Sequence, residues 1–109
     1  MKAEREHTVL VVANDFRVLT LAQALLTGKG HRVLLASDAR NAVELLTQNH
    51  VPIHSVAIRA GIGGHEEVRA MSLRRGARPW TFHCAVNDQS VMLEGLDSGA
   101  DRESAALHA

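Results

Sequence analysis

The chain has one cysteine, two prolines, no tyrosine, one tryptophan and two phenylalanines. A lone thiol, Cys84, cannot close an internal disulfide, which fits a reducing compartment and leaves the fold to rest on burial alone. With aromatics this scarce, valine, leucine, isoleucine and alanine must fill the core. No apolar run approaches the ~18 residues of a membrane span. The charged opening Met1–His7 is unlike a secretory leader and reads as a tail. Neither sign of charge dominates: twelve Lys and Arg stand against twelve Asp and Glu in 109 residues. No bulk field therefore draws the chain to nucleic acid or to an anionic membrane. The expectation is a single cytoplasmic domain over 1–109, of a size that buries roughly two-thirds of its unfolded surface.

What is present is an alternation of short aliphatic strands with amphipathic helices, the pattern of a doubly wound α/β fold with a parallel sheet covered on both faces. Val9–Val12 is a continuous apolar run, as a central strand requires. Asp15 is placed to N-cap a helix whose stripe is Val18, Leu21, Ala22 and Leu25, ended by Gly28 and Gly30. Val33–Ala36 is a second strand. Ser37 or Asp38 then caps a helix carrying Ala39, Ala42, Val43 and Leu46 on one side. Ile53–Ile58, after Pro52, makes a third strand, and Gly61–Gly64 leads into a helix over His65–Arg75. Its first turn holds Glu66 and Glu67 and its last Arg74 and Arg75, matching the helix dipole at both ends. Trp80–Cys84 reads as a fourth strand. Asn87 or Asp88 then caps a fourth helix through Val91, Met92 and Leu96. The remaining 102–109 leave room for a short, frayed last strand around Ser104–Leu107, with no closing helix.

In an open α/β sheet, ligands bind beyond the carboxyl ends of the strands. The sequence places Ala13, Asn14, Asp15, Ala57 and Cys84 there: one carboxylate, one amide, one thiol and two methyl groups. The order and spacing of four segments are similar to response-regulator receiver domains. They are Val9–Val12 with its polar loop, Arg32–Ser37, Ala42–Leu46 and Gly95–Asp101, so the resemblance spans Thr8 to Asp101. It implies a CheY-like, flavodoxin-like sheet of strand order 2-1-3-4-5, here without the last helix. It also implies an aspartate phosphorylated by a partner histidine kinase. The residues that would do this are absent. The family's metal-binding acid pair falls on Ala13 and Asn14, with Asp15 one place beyond. Its phosphoacceptor falls on Val56, Ala57 or Ile58, with Ala57 the middle choice. Its switch hydroxyl falls on Cys84, and its lysine near Ala105 or Ala106. Magnesium prefers carboxylate and phosphate oxygens, phosphoryl transfer needs that charge in place, and a methyl group is no nucleophile.

Other features carry less. The histidines, His7, His31, His50, His54, His65, His83 and His108, show no metal-ligand spacing and read as scattered surface groups. Gly61, Gly63 and Gly64 could cradle an anion before a helix N-terminus, but read first as a flexible turn. Arg69, Arg74, Arg75 and Arg78 read as a solvated helix end. Cys84 reads as a small core residue, or as a thiol whose reactivity would need a neighbouring cation.

The expected function is that of a degenerate receiver working independently of phosphorylation. It would be a non-enzymatic protein-interaction module of a two-component pathway, with no cofactor and no metal. Its partner would be a histidine kinase or another signalling protein. A homodimer is the other option, through the edge made by the fourth helix and fifth strand, where Val91 and Leu96 would be left exposed. A phosphate-, nucleotide- or flavin-binding flavodoxin-like module and a receiver remnant without function are the competing readings.

Overall fold

Why Val9–Val12 is apolar without interruption is plain from its position. It lies at the centre of β1 (Thr8–Val12), every residue of which is buried. The computed structural model describes residues 7–48 and 52–96. After β1 come α1 (Phe16–Gly28), β2 (Arg32–Ala36), α2 (Ala39–Gln48), β3 (Ser55–Arg59), α3 (His65–Arg74), β4 (Arg78–Val86) and β5 (Val91–Glu94). They form one five-stranded sheet of order β2-β1-β3-β4-β5, the order expected. β1 to β4 run parallel.

Side chains alternate across the sheet. Val9, Val11, Ala13, Ala57 and Phe82 pack on one face with Val18, Leu19, Ala22 and Leu26 of α1. Leu10, Val12, Val56 and Ile58 pack on the other with Ala42 and Leu46 of α2 and Val68 of α3. The buried stripe of α1 is turned by about one residue from the expected one. Leu19 and Leu26 are inside, while Leu25 is 40% exposed. Both stripes have helical spacing, and only the sheet beneath selects between them. Of the two candidates to cap α2, the role falls to Asp38, whose Oδ1 accepts the Asn41 N–H at 2.8 Å.

Where a fourth helix is expected through Val91 and Met92, the described residues form a strand, and the sheet is not wholly parallel. β4 continues past Cys84 to Val86 and turns into β5, which pairs with it antiparallel, His83 opposite Glu94 and Val86 opposite Val91. Asn87, expected to cap a helix, closes the turn instead. Its Oδ1 accepts the N–H groups of Gln89 and Ser90, both at 2.8 Å, and its own N–H donates to the Ser90 carbonyl at 3.0 Å. Val91 and Leu93 turn inward against the α1-side core while Met92 and Glu94 face out, a period of two rather than 3.6. Gly95, at φ +88°, ends the strand, and its carbonyl accepts the Trp80 indole N–H at 3.0 Å. The edge proposed for docking is thus a hairpin strand. Val91 is half-buried and Leu96 is 2% exposed, leaving Met92, 67% exposed, as its apolar prominence. The strand expected at Ser104–Leu107 and the tail before His7 lie outside the described residues. Asn87→Ala, which deletes the acceptor of the turn, should cost about 1 kcal/mol in urea unfolding. A loss of less than ~0.3 kcal/mol would show that the two strands hold the turn without it.

Candidate functional site

The carboxyl ends of β1 and β3 lie side by side, Val11 opposite Ala57 and Val12 opposite Ile58. The next residue of β3, Arg59, pairs with Phe82 of β4. The next of β1, Ala13, still donates its N–H to the Ala36 carbonyl at 3.1 Å, so the backbone leaves the sheet only at Asn14. This register fixes what fills the crevice. Ala13 and Ala57 are fully buried and belong to the α1-side core, so both methyls lie below the crevice floor. Asn14 is exposed at the lip, and Arg59, half-buried, reaches across to it. Arg59 Nη1 donates to Asn14 Oδ1 at 2.8 Å.

Asp15 turns away from the crevice to its own helix. In extended conformation (φ −133°, ψ 123°), it accepts the Arg17 N–H at 2.8 Å through Oδ1. The Arg17 Nε stands 3.7 Å from the same oxygen. The backbone hydrogen bond from Arg17, then the charge of that side chain, hold the carboxyl below its ordinary value despite some opposing desolvation. Arg17 also donates through Nη1 to the Asn87 carbonyl at 2.9 Å, tying the start of α1 to the β4–β5 turn.

Two curated proteins share this sequence pattern. The chain is 30% identical over 95 residues to the transcriptional regulatory protein AfsQ1 of Streptomyces coelicolor. It is 31% identical over 93 residues to the transcriptional regulatory protein ZraR of Klebsiella oxytoca. These alignments take in 86% and 84% of the chain but only 42% and 21% of the relatives, so the chain spans less than half of either. Among solved structures, a response regulator receiver domain protein from Clostridium thermocellum superposes with a TM-score of 0.63 at 16% identity. It covers 94% of this chain and 97% of that one. The receiver domain of the hybrid histidine kinase CckA superposes at 0.55 and 18% identity, over 87% and 94%. The chain has the CheY-like receiver fold. No protein-family model matches it.

In this fold the residues at the strand ends do not suit the magnesium ion that the resemblance to receiver domains implies. Two of the positions are methyls, the third is an amide, and the nearest carboxylate, Asp15, is committed to the Arg17 N–H. A guanidinium, permanently cationic, stands where a metal would need anionic oxygen. Among the described residues no group of three or more His, Cys, Asp or Glu side chains is placed to hold a metal. Nor is any helix of the described residues long and apolar enough to cross a membrane.

Cys84 sits two residues beyond the level of Arg59. It is half-buried, opposite Leu93 in the hairpin, and packed against the α1-side core. Gly61 and Gly64 both adopt left-handed conformations, at φ +84° and +81°. Gly64 N-caps α3 without a side-chain hydrogen bond, and a Cβ built there would stand 2.5 Å from Ala39 Cβ. The loop therefore has a packing duty, letting α2 approach α3. Glu66 and Glu67 already place negative charge in that helix's first turn, where an anion would have to compete. His65, the first residue of α3, shares a hydrogen bond with the Thr81 hydroxyl of β4 at 3.0 Å.

The residue that sequence reasoning passed over is Arg59. It is the only charged residue at the end of the third strand. Counting from Pro52 to Ile58 as the last apolar position would have left it as the first side chain in the crevice. The histidines were also underestimated. His7, His31 and His54 are not scattered but meet at the opposite end of the sheet.

Proposed function

We propose that the chain is a receiver domain that works independently of phosphorylation, as a pseudo-receiver: a protein-interaction module of a two-component pathway in the cytoplasm. One observation carries the reading. Arg59 donates to Asn14 at 2.8 Å across the strand ends where the family's acids would gather metal and phosphoryl group. A guanidinium there supplies its charge at all times, so the loops around the crevice answer to no phosphoryl transfer. The partner is then a histidine kinase or another signalling protein that recognises a fixed surface. The lip of the crevice supports this, because Phe16 is 81% exposed at the start of α1. It opens onto a groove shared with Leu21 and Ala24 of α1 and Val91 of β5. An exposed ring of this size beside a functional crevice is the kind of apolar feature that marks an interaction site.

The test is incubation with magnesium and acetyl phosphate followed by intact mass, with a beryllium fluoride titration read by nitrogen-15 correlation spectra. The expected result is no phosphoryl adduct and no saturable shift at Asn14, Asp15 or Arg59. An adduct on Asp15, or saturable magnesium-dependent shifts at those amides, would overturn the reading.

A further inference from the structure

Titratable groups also gather at the amino-terminal end of the sheet, away from the crevice. His7 precedes β1, His31 precedes β2 and His54 precedes β3. His7 is 1% exposed. Its Nε2 lies 2.6 Å from the Ser55 hydroxyl oxygen, and its Nδ1 is buried with no hydrogen-bond partner. The ring stacks on His54, with centroids 5.0 Å apart and planes at 26°, and meets His31 edge-on at 5.4 Å and 66°. His54 in turn uses Nδ1 to accept the Thr8 N–H at 3.0 Å. The backbone of the same residues joins the strands. Arg32 N–H donates to the His7 carbonyl, His54 N–H to the Thr8 carbonyl and Arg78 N–H to the His54 carbonyl, each at 2.9 Å.

This arrangement accepts only a neutral imidazole at His7. A doubly protonated His7 would bury a charge beside two other imidazoles and point one N–H at no acceptor. Among the described residues, the charged side chains on the neighbouring strand and helix ends are Lys29 after α1, Arg32 opening β2 and Arg78 opening β4, each with interactions of its own. Glu4 and Glu6, which precede His7 in sequence, lie outside the described residues.

The geometry points to an acid-released clasp: His7 stacked on His54 and edged by His31 holds the amino-terminal ends of β1, β2 and β3 together while its own ring is neutral, and protonation of His7 lets the start of β1 detach. Burial first, then the neighbouring His54 and His31, lower the protonation of His7 from 6.5 to about 4. The sign follows from linkage. The detached form binds protons at the ordinary value, so the clasp is at full strength above about 6.5 and weakens as pH falls toward 4.

Native-state hydrogen exchange tests this on the whole chain. After correction for intrinsic rates, the opening constant at Thr8, Arg32 and Ser55 should rise about 20-fold between pH 7 and pH 5, the factor for one group moving between 6.5 and about 4. Amides of α2 and α3 should show a smaller change. His7→Phe keeps a buried ring without a titratable nitrogen and should remove most of the rise. Should that variant fail to fold, the imidazole resonances of the natural chain decide instead, with His7 titrating below about 5. Protection at Thr8 and Ser55 that does not change with pH, an undiminished rise in His7→Phe, or a His7 midpoint near 6.5 would each overturn the clasp. None of these outcomes bears on phosphorylation at the other end of the sheet.

Discussion

Phe82→Ala is expected to remove about 3–5 kcal/mol of folding stability, a large share of the 5–15 kcal/mol typical of a natural domain. Phe82 is the largest fully buried side chain among the described residues. Around it the α1-side core is small, with Ala13, Ala22 and Ala57 among its members. Short side chains fixed to strands and a helix cannot collapse into the space a phenyl ring leaves, so the cavity term adds to the lost transfer energy. In urea, with a slope of about 1–3 kcal/mol per molar, the midpoint should fall by at least ~1 M at unchanged slope. Phe82→Leu, which keeps most of the volume, should cost less than ~1.5 kcal/mol. The substitution also reaches the crevice. The Phe82 carbonyl accepts the Ala60 N–H at 2.8 Å and its backbone pairs with Arg59, so the ring's seat sets the height at which Arg59 meets Asn14. Chemical shifts at Asn14 and Arg59 should therefore move in Phe82→Ala and stay in Phe82→Leu. An alanine variant losing under ~1 kcal/mol would mean that this core is not built around the ring.

The parts of the fold legible in the sequence were those in which one segment's pattern admits a single structure. β1 is apolar without a break from Val9 to Val12 because both its faces are covered, and no amphipathic helix reads that way. α3 carries acids at its start and arginine at its end, which fixes type and direction together. Val91 to Leu96 was not legible, since its apolar residues satisfy both a helical and a strand period. Two local features decide between them: Asn87 folds its side chain over the turn, and Gly95 takes a positive φ. The candidate site divides in the same way. That acids are missing from the strand ends could be read from residue types alone. That Arg59 fills the gap could not, because it depends on the register of β3 against β1, a property of two segments at once. The histidine clasp lies further still from the linear pattern. His7, His31 and His54 become neighbours only when three parallel strands align their starting residues.

Gly64→Ala should destabilise the domain by about 2–5 kcal/mol, and a companion substitution separates the two causes. The first is conformational. Gly64 sits at φ +81°, where an L-residue costs roughly 1–2 kcal/mol. The second is steric, because the new Cβ would stand 2.5 Å from Ala39 Cβ, far inside contact distance. One of α2 and α3 must then give way, and overpacking of this kind adds about 1–3 kcal/mol. Gly61 shares the conformation, at φ +84°, but has nothing within 4 Å of the position a Cβ would take. Gly61→Ala should therefore show only the conformational part, about 1–2 kcal/mol. Ala39→Gly in the Gly64→Ala background should recover most of the difference, less up to ~1 kcal/mol for glycine in a helix. Equal losses at Gly61 and Gly64, with no coupling to Ala39, would mean that the contact between the two helix starts is loose. Unequal, coupled losses would assign Gly64 to the seam between α2 and α3, the covered face beside which Arg59 closes the crevice.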